Sequence, residues 1–117
     1  MSEQTIIYHN PRCSKSRATL ELLESKGEQP EVIKYLETPP SKATLKQVLS
    51  FLNLSPRELM RKGEPEYKEL SLDDASLTED ELLDAMVANP RLIERPIVVK
   101  NNKAAIGRPP ESVLDIL

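Results

Sequence analysis

At 117 residues and a net charge of −3, the chain is long enough for one domain with a real core, and its charge gives no footing for wholesale binding to nucleic acid or an anionic membrane. Hydrophobic content of 38% and charged content of 30% fit an ordinary soluble globular protein. No apolar run approaches the ~20 residues that span a bilayer, MSEQTIIYH lacks the basic and apolar regions of a signal sequence, and one cysteine cannot form an internal disulfide, which points to the reducing cytoplasm.

Thr5 to His9 is a short β-branched and aromatic run stopped by Asn10-Pro11, the pattern of a strand. Ser14 to Lys26 follows with Ala18, Leu20, Leu22 and Leu23 at mostly helical spacing, and Gly27 closes it. Glu31 to Leu36 reads as a second strand, so the chain opens with a βαβ unit and two parallel strands. Thr38-Pro39-Pro40-Ser41 breaks the chain and caps a helix over about Lys42 to Leu52. Ser55-Pro56 begins another, expected to continue through Leu59 and Met60 to Lys62. Gly63 to Tyr67 reads as a break. Thr78, with Glu81 three residues on, predicts a capped helix over about Glu79 to Val87.

Residues 41–90 are therefore a helical block inside an otherwise sheet-forming chain. Ile97 to Lys100 and Lys103 to Ile106 flank Asn101-Asn102, a two-residue hairpin signal, and Pro109-Pro110 precedes a terminal amphipathic helix over about Glu111 to Leu117. The order βαβ, helices, ββα is the skeleton of a thioredoxin-like α/β fold. It implies a mixed four-stranded sheet, with the helical insertion within a single domain spanning 1–117.

The only cysteine, Cys13, sits where the first strand gives way to the first helix. A helix amino terminus carries unpaired N–H groups and a partial positive charge, which hold anions and favour the anionic form of a nearby thiol. Arg12, Lys15 and Arg17 flank Cys13, and His9 lies just upstream. Asn10 and Pro11 shape the entry turn and leave a loop able to wrap an oxyanion. A lone cytosolic cysteine is most often a small core hydrophobe, but the flanks Pro-Arg-Cys-Ser-Lys-Ser-Arg are poor company for a buried residue.

Spacing removes two other chemistries. A Cys-x-x-Cys redox pair fails because position 10 is Asn, and a phosphatase-type loop needs a wider gap than the three residues between Cys13 and Arg17. One cysteine and one histidine do not make a zinc site, so no metal is expected. What remains is a single-thiol enzyme that attacks an oxyanion or a disulfide and needs an external thiol to regenerate it. Arg95, before Pro96 and the strand IVV, occupies the place of a cis-proline loop, and Arg108 follows the hairpin. The fold should bring both toward Cys13, where planar guanidinium forks suit tetrahedral oxyanions. Arg61 ends the helix in the inserted block, while Arg57 and Arg91 read as surface arginines.

The stretches YHNPRCSKSRATLELL, YLETPPS, RELMRKGEPEYKEL, RPIVV and GRPPESVLDIL together resemble the glutaredoxin-dependent arsenate reductases of the ArsC family, over nearly the whole chain from Ile6 to Leu117. The resemblance implies that Cys13 attacks arsenate with assistance from His9, and that Arg61, Arg95 and Arg108 hold the oxyanion and the arsenical intermediate. Asn10, Ser16 and Arg17 take supporting places. It further implies that glutathione attacks the adduct on Cys13 and that glutaredoxin resolves it, with no bound cofactor. One departure stands out: characterised members read Cys-Gly-Thr-Ser where this chain reads Cys13-Ser14-Lys15-Ser16.

Two other functions fit parts of the pattern. Spx-type RNA-polymerase-binding regulators look similar in fold, but commonly carry the Cys-x-x-Cys switch that Asn10 removes. A general glutathione-linked thiol-disulfide oxidoreductase needs only Cys13 and leaves the three oxyanion arginines unexplained. Aromatic content of 3% offers few anchors for a large obligate interface, so a monomer is expected.

Overall fold

The computed structural model describes residues 4–117; the first three residues, part of the stretch read for a signal sequence, lie outside the described residues. By internal contacts the chain divides into two compact units, residues 39–94 and the residues on either side of them.

The flanking unit holds β1 (Ile6–His9), α1 (Ser14–Ser25), β2 (Glu31–Lys34), β3 (Ile97–Lys100) and β4 (Lys103–Ile106), followed by a 3₁₀ segment, Pro110–Ile116. Its four-stranded sheet has the order β2-β1-β3-β4. β1 pairs parallel with β2 and antiparallel with β3, and β3 pairs antiparallel with β4. This is the mixed sheet of a thioredoxin-like fold. On one face Ile7 and Val98, which are register partners, meet Leu23 of α1 and Val113 of the 3₁₀ segment, all fully buried. Leu20, Leu22, Ala105 and Ile116 pack around them. Burying each such side chain contributes roughly 1.5–3 kcal/mol, and that face fixes α1 across the sheet.

Local chemistry accounts for the boundaries. Gly27 stands just past the end of α1 with φ +83°, a left-handed conformation that glycine adopts without strain. Asn101 and Asn102 have φ 54° and 60°, the two left-handed residues that a tight turn between twisted strands requires. β2 is shorter than expected, ending at Lys34. The Lys34 carbonyl accepts from the N–H groups of both Glu37 and Thr38, so the chain turns at Tyr35 instead of running extended to Leu36. The terminal helix is a 3₁₀ segment and starts one residue early, at Pro110.

The second unit contains α2 (Lys42–Leu52), α3 (Pro56–Leu59), α4 (Pro65–Glu69) and α5 (Glu79–Ala88). Ser41 caps α2 by accepting from the Thr44 N–H. Ser55 with Glu58, and Thr78 with Glu81, form reciprocal capping boxes at α3 and α5. α2 and α3 pack on α5. Two expectations are corrected here. The helix expected to run through Lys62 stops at Leu59, because Met60 is extended and bridges Ile93, while the Arg61 N–H bonds Leu92 O at 2.7 Å. Gly63 to Tyr67, read as a break, contains the start of α4, with Pro65 at its first position.

Candidate active site

The strand pairing brings three connections to one end of the sheet in the flanking unit. β1 ends at His9 and leads into the Cys13 loop; Ile97, the partner of Tyr8, follows Arg95-Pro96; Ile106, the partner of Ile97, precedes Gly107-Arg108. The peptide bonds Arg95-Pro96 and Arg108-Pro109 are both cis.

The loop is built by its own side chains. The Asn10 carboxamide oxygen accepts from the Arg12 N–H at 3.0 Å, an Asx-turn, and the Asn10 carbonyl accepts from the Cys13 N–H at 3.0 Å. Arg17 reaches back from α1 to donate to the Pro11 carbonyl at 2.9 Å. Cys13 is the residue at the amino terminus of α1, extended at φ −96°, ψ 124°, and its side chain makes no capping bond. Cys13 thus lies at the helix end where the first-turn N–H groups have no partner within the helix. The Arg108 guanidinium approaches Sγ, with Nη2 at 3.7 Å, while its Nε donates to the Arg95 carbonyl at 2.8 Å. Cys13, Arg108 and the Arg95 backbone are thus one cluster, assembled from sequence positions 95 residues apart.

His9 does not act on the sulfur through any direct bond. Its ring is buried, and Nδ1 lies 2.7 Å from Ser16 Oγ, which also accepts from the Asn10 N–H at 3.0 Å. Burial pushes the His9 pKa down, and the cations of Lys34 and Arg17 push it further the same way. Both effects favour the neutral imidazole. With Ser16, fully buried in the first turn of α1, it pins the end of β1 to the helix and sets where Cys13 emerges.

Arg61 belongs to the other unit. There Nη1 bonds Glu64 at 2.8 Å, and Nε lies 3.7 Å from Glu94. Arg91, read as a surface arginine, also reaches Glu64, at 3.5 Å.

Two site-supporting residues escaped the sequence reading. Thr19 is fully buried in α1 with its hydroxyl donating to the Lys15 carbonyl, and Gly107 abuts it so closely that a Cβ there would collide with the Thr19 hydroxyl and sit 2.8 Å from Pro96 Cγ. Gly107 also donates to the Pro96 carbonyl at 2.9 Å. Only a residue without a side chain lets the Arg108 segment lie this close to the cis-proline loop and α1. The visible signal was a glycine immediately before a candidate arginine. Among the described residues no three His, Cys, Asp or Glu side chains gather as a metal site would, and no helix is long and apolar enough to cross a membrane.

With this geometry in place, comparison with known proteins is decisive. The family model described as "ArsC family" matches residues 8–116. The chain belongs to the ArsC family. An arsenate reductase of Neisseria meningitidis is 53% identical over 112 residues, covering 95% of this chain and 96% of that protein. The uncharacterized protein YfgD of Escherichia coli K12 is 61% identical over 118 residues, covering 100% and 99%. Among solved structures, an arsenate reductase from Vibrio cholerae superposes with a TM-score of 0.96 at 55% identity and full coverage of both chains.

Proposed function

We propose that this ArsC-family protein is an arsenate reductase whose nucleophile is Cys13, working in the cytoplasm as a monomer with glutathione and glutaredoxin as its reductants. The observation that carries the reading is the Arg108 guanidinium 3.7 Å from the Cys13 sulfur at the amino end of α1. A thiolate there has fixed positive charge on two sides. Arsenate docking at the same place would meet first-turn N–H groups and the Arg108 fork, donors aimed where oxygen charge develops.

The sulfur forms a bond to As(V), and one arsenate oxygen leaves as water after protonation, giving a thiol-arsenate on Cys13. Glutathione adds to arsenic with loss of a second water. A glutaredoxin thiolate then attacks the glutathione sulfur; the S–As bond breaks, its electron pair stays on arsenic, and As(V) becomes As(III). The two reducing thiols end as a glutathione–glutaredoxin disulfide, and hydrolysis of the remaining S–As bond releases arsenite and the Cys13 thiol. An external thiol pair is required because the chain holds one cysteine.

In this reading Arg108 and Arg95 hold the oxyanion. Asn10 and Arg17 shape the loop, and His9 acts through Ser16 as a positioning residue. Arg61 carries its assignment from the family resemblance; in its own unit its guanidinium is committed to two carboxylates. A disulfide bond itself carries no charge for the Arg108 guanidinium beside Cys13 to hold, so that contact favours the arsenate reading over the general oxidoreductase one.

The test couples arsenate, glutathione and glutaredoxin to NADPH consumption through glutathione reductase. Arsenate-dependent turnover is expected in the wild type and none in Cys13→Ser. A wild type that consumes no NADPH with arsenate, yet reduces a mixed disulfide with glutathione, would hand the protein to the general oxidoreductase reading.

A further inference from the structure

Beside the Cys13 loop, on the β2 side, lies a cavity of about 340 Å³ lined by His9, Asn10, Pro11, Arg12, Lys34, Leu36 and Glu37. Its size falls at the lower end of the roughly 300–1,000 Å³ of small-molecule sites. The sheet register builds it. His9 and Lys34 are partners across the parallel β1–β2 pair, so their side chains leave the same face at the end of both strands. The turn after Lys34, closed by the bonds from Glu37 and Thr38, brings Leu36 and Glu37 onto the same rim. The Asx-turn at Asn10 sets Pro11 and Arg12 on the opposite wall.

The charges around this cavity are uncommitted. Arg12, Lys34 and Glu37 make no ion pair among the described residues, unlike Lys42, Arg61, Arg91 and Lys100, each of which is paired. Lys34 is near enough to His9 for its charge to act on the ring. Two cations, one carboxylate and one exposed leucine therefore converge on a space that shares the Pro11-Arg12 wall with the loop carrying Cys13. Consecutive Cα atoms lie about 3.8 Å apart, which puts this wall within one or two residues of the sulfur. The cavity does not include Cys13, so it is not where arsenate meets the thiol.

We propose that this cavity docks the reducing co-substrate: a small peptide thiol with two carboxylates and one ammonium, its carboxylates on Arg12 and Lys34 and its ammonium on Glu37. The assignment rests on the proposed arsenate reductase reading, which requires a thiol from outside the chain, and it names glutathione as the molecule with matching charges. No covalent step occurs in the cavity. It holds the peptide so that the thiol is presented to the adduct on the neighbouring Cys13.

The experiment is calorimetric titration with S-methylglutathione, whose capped sulfur cannot react, against wild type, Lys34→Glu, Arg12→Glu and Glu37→Gln, with inorganic arsenate titrated in parallel. All three side chains are exposed, and circular dichroism checks that each variant is folded. The expected result is wild-type binding of S-methylglutathione, weakened at least about tenfold by each charge reversal and less by Glu37→Gln, with arsenate affinity of the Lys34→Glu protein unchanged. In turnover, Lys34→Glu should raise KM for glutathione and leave KM for arsenate alone. No binding of S-methylglutathione to the wild type, or equal binding by wild type and both reversals, overturns the proposal. So does a loss confined to arsenate, which would make the cavity an oxyanion subsite. Charge-dependent binding of S-methylglutathione in a protein that never turns over arsenate would keep the cavity assignment and remove the arsenate reading instead.

Discussion

The two ends of the sheet in the flanking unit treat charge in opposite ways. At the end where β1 begins, Lys100 donates to both oxygens of Glu28, at 3.0 and 2.9 Å, and the buried Thr5 hydroxyl donates to the same carboxylate. Glu28 lies between α1 and β2 and Lys100 at the close of β3, so the cluster ties three connections together with every charge answered. At the end where β1 finishes, the buried polar groups are neutral and locked, His9 on Ser16 and Asn10 on Ser16. Two of the cations there lean on carbonyl oxygens and on sulfur, Arg17 on Pro11 and Arg108 on Arg95 and Cys13, while Arg12 and Lys34 make no ion pair among the described residues. A guanidinium satisfied by a carboxylate has little left for a substrate anion, whereas one oriented by a carbonyl keeps its full charge. The difference separates an end that holds the fold from an end prepared for chemistry.

Removing the oriented cation should break the second end most sharply. Arg108→Ala deletes the guanidinium that lies 3.7 Å from Cys13 Sγ, and loss of one preorganised donor to an oxyanion costs about 10²–10³ in kcat. Assayed by NADPH-coupled turnover, that loss is expected with thermal stability close to wild type, because the side chain is exposed. Equal turnover in the variant would dissolve the contrast between the ends.

Next come two changes that disturb the scaffold of the same end. Gly107→Ala forces a methyl against Thr19 and Pro96 and should cost about 1–3 kcal/mol as overpacking, with turnover falling because the segment that carries Arg108 must move. Ser16→Ala leaves His9 Nδ1 and the Asn10 N–H buried with neither Ser16 bond, a loss of roughly 1–3 kcal/mol. Urea midpoints read both. Ser16→Thr keeps the hydroxyl and should recover part of the second loss, which a purely steric role for Ser16 would not allow.

How much of this was open to the sequence depends on the reach of each interaction. Caps and turns are local: Thr78 with Glu81, Ser41 before α2 and Asn101-Asn102 announced themselves within a few residues. Cys13 was legible for the same reason, since the end of a strand and the start of a helix adjoin it. The early stop of α3 was not, because the bridge from Met60 goes to Ile93 and no local propensity encodes a partner that distant. The bond between His9 and Ser16 closes across a loop bent by the Asx-turn at Asn10, and neither residue type announces the other. Gly107 matters only through Thr19 and Pro96, each remote in sequence. Strand order supplied the convergence of the loops that carry Arg95 and Arg108 on the end of the sheet that carries Cys13; the choice of carbonyl and sulfur partners for Arg108 came from side-chain geometry.

Acid should sharpen the comparison, because the two ends titrate apart. The folded state lowers the His9 pKa, so it favours the neutral ring. That contribution is present above the unfolded value near 6.5 and is lost as pH falls through the lower folded value. The folded state also lowers the Glu28 pKa, mainly through its hydrogen bonds from Thr5 and Lys100. Its stabilisation is present above the unfolded value, near 4.5, and disappears as pH drops through the depressed one. Chemical denaturation between pH 8 and pH 3 should therefore show an early loss that His9→Asn removes. A later loss should be narrowed by Glu28→Gln, with Glu58 and Asp74, also depressed, supplying the rest. At neutral pH Glu28→Gln should cost on the order of 1 kcal/mol and leave kcat unaltered, since it acts at the structural end.

The smallest effect concerns Ser14-Lys15, the departure from the Cys-Gly-Thr-Ser pattern that the family resemblance implies. Both residues are exposed in the first turn of α1, directly after Cys13. Lys15 adds a flexible cation beside a site where Arg17 and Arg108 are oriented by carbonyl groups, and Ser14 narrows the backbone freedom of the first helical residue. The double variant Ser14→Gly, Lys15→Thr should shift stability by less than about 1 kcal/mol. If these residues tune the protein away from arsenate, its kcat/KM for arsenate should rise several-fold with Cys13 reactivity toward iodoacetamide little changed. An unchanged kcat/KM would mean that the anion is held by Arg108 and the helix N–H groups alone, and that the first-turn side chains stand outside the charge arrangement of the working end.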